Sequence, residues 1–363
     1  MDLNKILREF DVTSTIERYG NGHINDTYCT ESPKYILQRI NTQIFKNPQN
    51  LMENIENVTS FLREKIVNAG GDPDRETLTV IKTVDGKNYY QADETNYFRL
   101  YRFIDGTKTI ENDRTPEDMY RAGIGFGRFS NMLCGFPVEK LHETIPDFHH
   151  TPKRVEALKK AISEDKAGRA KSVQAEIEFA LRFSEYADVV VKGMEEGKIP
   201  LRVTHNDTKI NNILFDAKTG EAVCVIDLDT VMPGSMLYDF GDALRIGASS
   251  GAEDETELDK VWFDTVIFEK FARGYLEETK DSLTEREIEL LPFSAKLMTY
   301  ECGIRFLADY LNGDTYFKIH REHHNLDRAR NQFKLVLDIH EKEQELNEIV
   351  KKFFKIRKKE AKL

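Results

Sequence analysis

Cysteine is scarce in this 363-residue chain: Cys29, Cys134, Cys224 and Cys302 are its four, widely spaced and without a C-x-x-C pair. That spacing gives no disulfide framework and implies free thiols in a reducing compartment. Cys224 lies in the apolar run Ala222-Val223-Cys224-Val225-Ile226 and is expected in the core. Long apolar runs are missing too. No stretch of 18 apolar residues exists, so no membrane span is expected, and Met1-Asp2-Leu3-Asn4-Lys5 has no signal-peptide character. Positive charge is in deficit: 52 Lys and Arg against 63 Asp and Glu leave a net charge of -11, which argues against general nucleic-acid binding. Tryptophan occurs once, and Trp262 is expected in the core with Phe263. The pairs and clusters His149-His150 and His320, His323, His324 have no cysteine nearby and fall short of the converging ligands of a zinc site. The basic tail Lys351–Lys362 reads as a packed helix with a solvated cationic end rather than a membrane anchor. These deficits point to a soluble, cytoplasmic protein, a monomer or small homo-oligomer, that meets a small molecule rather than nucleic acid or membrane.

What is present divides into a β-rich front and a helical back, an α+β chain long enough for two lobes. A short helix is expected over residues 1–10, then strands at 15–19, 27–30 and 35–40. A helix follows over 48–67, with Leu51, Ile55, Val58, Leu62 and Ile66 on one face. Strands are expected at 78–81, 88–90 and 97–101, and Phe103-Ile104-Asp105-Gly106 reads as a turn between lobes. Residues 1–102 form the expected nucleotide-binding N-lobe and 103–363 the C-lobe. Beyond the turn come helical stripes: Met119, Ala122, Phe126, Phe129 and Leu133, then Val173, Ile177, Leu181 and Val191.

One stretch carries chemistry. His205-Asn206-Asp207-Thr208-Lys209-Ile210-Asn211-Asn212 has the spacing H-x-D-x-x-x-x-N, and Val225-Ile226-Asp227-Leu228-Asp229 follows. In a phosphoryl-transfer site such a loop supplies a base and a metal ligand, and a downstream Asp completes the metal site. Asp207 is placed to accept a proton from a substrate hydroxyl. Asn212 and Asp227 are oxygen donors suited to magnesium on a triphosphate. Lys209, two residues past the base, can neutralise charge on the moving phosphoryl group. Residues 211–215 and 222–226 read as two strands around the turn 216–221, a hairpin that brings Asn212 and Asp227 to one end. The plain alternative is that Asp207 and Asn212 cap turns and Asp227 ends an edge strand.

The chain resembles the aminoglycoside phosphotransferase and choline kinase superfamily, whose fold is protein-kinase-like, and within it the N-acetylhexosamine 1-kinases. The resemblance rests on Gly22-His23-Ile24-Asn25-Asp26-Thr27-Tyr28, on Tyr35-Ile36-Leu37-Gln38-Arg39-Ile40-Asn41, and on the run from His205 to Arg245. Glu301-Cys302-Gly303-Ile304-Arg305-Phe306-Leu307 and Asn325-Leu326-Asp327-Arg328 add to it. It implies a bilobal kinase-like fold, with ATP and magnesium as cofactors. The implied reaction transfers phosphate from ATP to a sugar hydroxyl, the anomeric 1-hydroxyl of an N-acetylhexosamine. The same transfer to choline, ethanolamine, homoserine or an aminoglycoside is the alternative, and a non-catalytic nucleotide-binding module is a second class.

Residue by residue, the resemblance makes Asp207 the base and Asn212 and Asp227 magnesium ligands. Asp229 becomes a further ligand or a group supporting them. Asp239 either braces the catalytic loop or caps a helix. Gly20-Asn21-Gly22 lets backbone amides approach phosphates, or is a plain hairpin turn; Asn25 stands where a third glycine would complete G-x-G-x-x-G. Protein kinases carry a phosphate-binding Lys after the third strand. Here Gln38 occupies that position, so either Arg39 or another cation compensates, or magnesium carries more of the load. The stretch from Tyr101 to Phe103 is the expected hinge at adenine. His23 and Asn25 either reach the sugar or hold their loop. Arg305 either grips the sugar beside Asp207 or pairs with Glu301 one turn away, for about 0.3–0.5 kcal/mol.

Overall fold

In a computed structural model, the described residues are 2–20, 24–111, 114–279 and 281–360, with side chains described through Phe354. The chain divides into two compact units: residues 1–109, 132–146 and 211–233 form the first, and 110–131, 147–210 and 234–363 the second.

The first unit is built on a sheet of β1 (Ile16–Arg18), β2 (Asp26–Thr30), β3 (Tyr35–Ile40), β4 (Val80–Ile81), β5 (Tyr90–Gln91) and β6 (Tyr97–Arg102). Its order is β1-β2-β3-β6-β4, with β5 also on β6, and every pairing is antiparallel. The expected strands at 78–81 and 88–90 shrink to these two-residue pieces. Strand alternation sorts β6: Phe98 and Leu100, with Leu37 of β3, pack on Ile6 and Leu7 of α1 (Leu3–Arg8). Arg99 and Gln38, directly opposite each other in the register, therefore share the other face. The helix α2 (Pro48–Asn68) starts at an Asn47 cap with Pro in its first position, as helix ends favour. It buries the expected stripe Leu51, Ile55, Val58, Leu62 and Ile66.

The late segments of this unit are fastened by α2. Asn54 is fully buried, and its amide donates to the carbonyls of His142 and Val231. A second sheet joins β7 (Thr107–Lys108), β9 (Ile213–Asp216) and β10 (Ala222–Val225), in the order β10-β9-β7. The turn after β9 forms because the Asp216 carboxylate accepts from the Lys218 and Thr219 amides while Gly220 supplies a positive φ of 75°. Arg75, in the short helix α3 (Pro73–Glu76), binds the Asp105 carbonyl and the Asp216 carboxylate. Cys224 is buried, as its apolar run implies, and all four cysteines are free.

The second unit is helical: α4 (Pro116–Met132), α5 (Thr151–Glu164), α6 (Gln174–Phe183), α7 (Val189–Glu195), α8 (Met236–Gly247), α9 (Thr265–Glu278), α10 (Glu285–Leu311), α11 (His324–Glu341) and α12 (Glu343–Glu360), with β8 (Arg202–Thr204) leading into the loop at His205. The helix α10 is buried on most of its circumference, as an apolar helix through a core must be. It starts at a Thr284–Glu287 capping box.

Two expectations fail here. Leu181 is exposed, because α6 ends at Phe183 and points Ile177, Ala180 and Phe183 inward instead; the stripe to Val191 belongs to two helices. Trp262 is also exposed: it sits in an extended segment where alternation turns Val261 and Phe263 in and the indole out. No described helix is long and apolar enough to cross a membrane.

Candidate active site

The loop from His205 to Thr208 is held to α8 at several points. The Asp239 carboxylate accepts from the backbone amides of His205 and Asn206 at 2.8 and 2.7 Å. Burial raises the pKa of Asp239, and those two donors offset this only in part. The cap of α8 is Ser235, so Asp239 is a brace and not an N-cap. One turn on, Asp242 accepts from the Thr208 amide at 3.1 Å, while the Thr208 hydroxyl donates to the Asp239 carbonyl at 2.6 Å. Asp242 is buried too, but Arg245 beside it holds its pKa below the usual value. His205 is fully buried, with its ring set edgewise to Phe126 and Phe129. Asn206 takes a left-handed φ of 65°, a conformation costly for most residues and tolerated by Asn. The net effect is a rigid turn that presents Asp207, partly exposed, with the Lys209 ammonium 2.8 Å from its carboxylate.

A second cluster adjoins this loop. His149 is buried; its Nδ1 lies 2.8 Å from the Glu301 carboxylate and its Nε2 3.1 Å from the Asn206 carbonyl. Thr151, at the start of α5, donates to the other Glu301 oxygen at 2.6 Å. Glu301 is therefore committed elsewhere, and the alternative of an ion pair between Glu301 and Arg305 is not what forms. The Arg305 guanidinium lies among three rings instead: Phe148 and Tyr316 at 6.0 Å and Phe317 at 5.5 Å. Among the described residues it has no carboxylate partner. Arg154 is nearby, and its pKa is lowered by burial and by the like charge of Arg305.

In the first unit, the β9–β10 hairpin brings Asn212 and Asp227 to one end: the Ile226 amide donates to the Asn212 carbonyl at 2.9 Å. Asp227 is exposed and takes a left-handed φ of 59°. Two oxygen-bearing side chains of this kind suit magnesium, which takes one or two protein ligands and completes its octahedron with phosphates and water. Among the described residues, no group of three or more His, Cys, Asp or Glu is placed to hold a metal ion by itself. Asp229 differs from Asp227: it is buried, and its two oxygens meet Arg99 at 2.5 Å and Asn25 at 2.7 Å.

Arg99 lies beside Gln38. It is fully buried, and its Nε and one terminal nitrogen donate to the Gln38 side-chain oxygen at 3.0 and 2.8 Å. Gln38 in turn donates to Thr27 at 3.1 Å. Burial alone would lower the Arg99 pKa, but the adjoining Asp229 raises it. Arg39 cannot stand in for the missing Lys, because the pleat sends it to the opposite face of β3. There it is exposed and pairs with Asp26 at 2.6 Å. The Asn25 amide is engaged at both ends, by Asp229 and by the Asn41 backbone amide. Gly20 has a positive φ of 70°, while Gly22 and His23 lie outside the described residues. Tyr101 is buried, with its hydroxyl pKa pushed up by burial, and Phe103 meets Tyr19 edgewise beneath the Lys34 ammonium.

Three groups were given no part in the site from the sequence: Arg99, His149 and Asp242. For Arg99 a signal existed, a lone cation inside the strand Tyr97-Phe98-Arg99-Leu100-Tyr101. For His149, in a loop far from the motif, none did.

Residues 15–276 match the model of a phosphotransferase enzyme family. Among solved structures, a microcompartment-associated aminopropanol kinase is 17% identical over 95% of this chain and 98% of its own, with a TM-score of 0.56. A spectinomycin phosphotransferase in complex with ADP and spectinomycin is 14% identical over 93% of this chain and 96% of its own, at 0.58. A Plasmodium vivax ethanolamine kinase is 16% identical over 88% and 82%, at 0.53. At such identities the likeness is one of fold: a kinase-like α+β fold with a small antiparallel sheet ahead of a larger helical region, as the sequence implies.

Proposed function

We propose, for a chain that belongs to the phosphotransferase enzyme family, the ATP-dependent phosphorylation of a small-molecule hydroxyl, that of a sugar, and most specifically the anomeric 1-hydroxyl of an N-acetylhexosamine. The observation that carries this reading is the braced turn from His205 to Lys209, with Asp207 presented beside an ammonium. Asp207 orients the acceptor hydroxyl and takes its proton as the phosphoryl group passes in line. Lys209 neutralises charge on the transferred group. Asn212 and Asp227 are the groups that would hold magnesium, which when bound spreads the negative charge of the triphosphate. Asp229, committed to Arg99 and Asn25, supports that end of the hairpin and leaves coordination to its neighbours. Adenine is proposed to meet the backbone between Tyr101 and Phe103, and Gly20 the phosphates.

The choice of acceptor rests on charge. A site for choline, ethanolamine or an aminoglycoside needs carboxylates or aromatic faces left open to a cation. Here the aromatic faces of Phe148, Tyr316 and Phe317 already hold Arg305, and Arg154 adds a second positive group. A neutral, hydroxyl-rich acceptor suits such a surface; an ammonium is repelled by it. An assay of nucleotide turnover, first without acceptor and then with N-acetylated sugars, free amino sugars and amino alcohols, tests this. Preference for the charged acceptors would overturn the sugar reading.

Two variants bear on the roles. Arg305→Ala is expected to lower kcat/KM for the sugar about 10- to 150-fold, the usual cost of a lost charged hydrogen bond, with the KM for ATP nearly unchanged. Unchanged sugar kinetics with a slightly lower melting point would make Arg305 structural. Asp227→Ala is expected to abolish magnesium-dependent nucleotide binding, because a carboxylate is needed at the ion. Titration of nucleotide with and without magnesium reads this directly, and an undiminished magnesium effect would remove the hairpin end from the metal site.

A further inference from the structure

His149 lies between two groups that can only accept. Glu301 is a carboxylate whose other oxygen is taken by the Thr151 hydroxyl, and the second partner is the backbone carbonyl of Asn206. A neutral imidazole donates from one nitrogen alone, so it would set a lone pair against one of these oxygens. Only the doubly protonated ring satisfies both, and burial makes an unsatisfied acceptor costly here. We infer that His149 is an imidazolium and a positioning residue: with Glu301 as its counter-ion it holds the Asn206 carbonyl, and so fixes the left-handed turn that presents Asp207.

The surroundings agree. From α10, Glu301 faces the ring, with Arg305 acting on that carboxylate; from α8 come Asp242, Asp239 and the Tyr238 ring at 5.3 Å. Phe148 closes it edgewise at 4.6 Å. Glu301 first, and Asp242 after it, favour the charged ring. Burial lowers the pKa of His149, but Glu301 and its hydrogen bond more than reverse this, so it is raised; Glu301 is lowered to match. The sign follows from linkage. A histidine raised above its ordinary value contributes its full stabilisation below about pH 6.5 and loses it as pH climbs through the raised value. On deprotonation one of the two bonds is lost, and the brace on Asn206 loosens on the alkaline side.

The test has a part that needs no variant. Nitrogen NMR of the histidine-labelled protein at neutral pH should show both ring nitrogens of His149 protonated; a neutral ring there would overturn the inference. In His149→Gln, whose single amide can still donate to the Asn206 carbonyl but carries no charge, kcat should fall about 10- to 100-fold with the KM for ATP unchanged. The wild type is expected to lose kcat on the alkaline side, and this fall should be absent from the variant. Amide exchange at Asn206, Asp207 and Thr208 should quicken, and melting should fall because Glu301 loses its buried counter-ion. Unchanged exchange and an unaltered pH profile in a folded His149→Gln would defeat the positioning role. The kinetic arm rests on Asp207 as the base. If that role is wrong, the NMR and exchange results stand while kcat is indifferent, which separates the two failures.

Discussion

Asp207→Asn is expected to lower turnover by about 10²- to 10⁴-fold, the contribution of a positioned general base. Asn keeps the shape of the side chain and its bond to Lys209, but accepts no proton at neutral pH. The backbone of the turn is held by Asp239, Asp242 and His149 through main-chain atoms, so the variant should fold and bind nucleotide as the wild type does. Steady-state kinetics with saturating acceptor, alongside a nucleotide titration, read the two quantities apart. Turnover like that of the wild type would take Asp207 out of the mechanism.

The largest effect on stability is expected at Arg99. Arg99→Met would leave the Asp229 carboxylate buried without its counter-ion, and losing one partner of a buried pair typically costs about 3–5 kcal/mol. Gln38 would lose the guanidinium it accepts from as well. Replacing both members, Arg99→Met with Asp229→Leu, should recover much of that loss, since well-packed apolar groups often match a buried pair. Denaturant unfolding of the two singles and the double gives the coupling. A loss below about 1 kcal/mol in Arg99→Met would mean that Asp229 does not depend on Arg99.

What was legible in the sequence was local. The stripe from Leu51 to Ile66 and the hairpin around Gly220 are each fixed within a few residues, and each formed as read. Trp262 misled because hydrophobicity outweighed alternation in an extended segment too short to show its period. Arg39 misled because adjacency in sequence places two strand residues on opposite faces. The partners of Asp229, Glu301 and Asn206 lie 130, 152 and 57 residues away, counting Asp229 from Arg99 (229 − 99) and the other two from His149. Pairings of that span leave no periodic trace in a single chain.

The second sheet has a mechanical consequence. Strand β7 begins five residues after Arg102, and it pairs with β9, whose hairpin carries Asn212 at one foot and leads to Asp227 at the other. Arg75 bolts the same two segments together, through Asp105 and Asp216. The backbone proposed for adenine and the side chains proposed for the phosphate-bound ion thus belong to one compact unit, residues far apart in the chain but together in the fold. A nucleotide bound as proposed would meet the same unit with its adenine and with its phosphates.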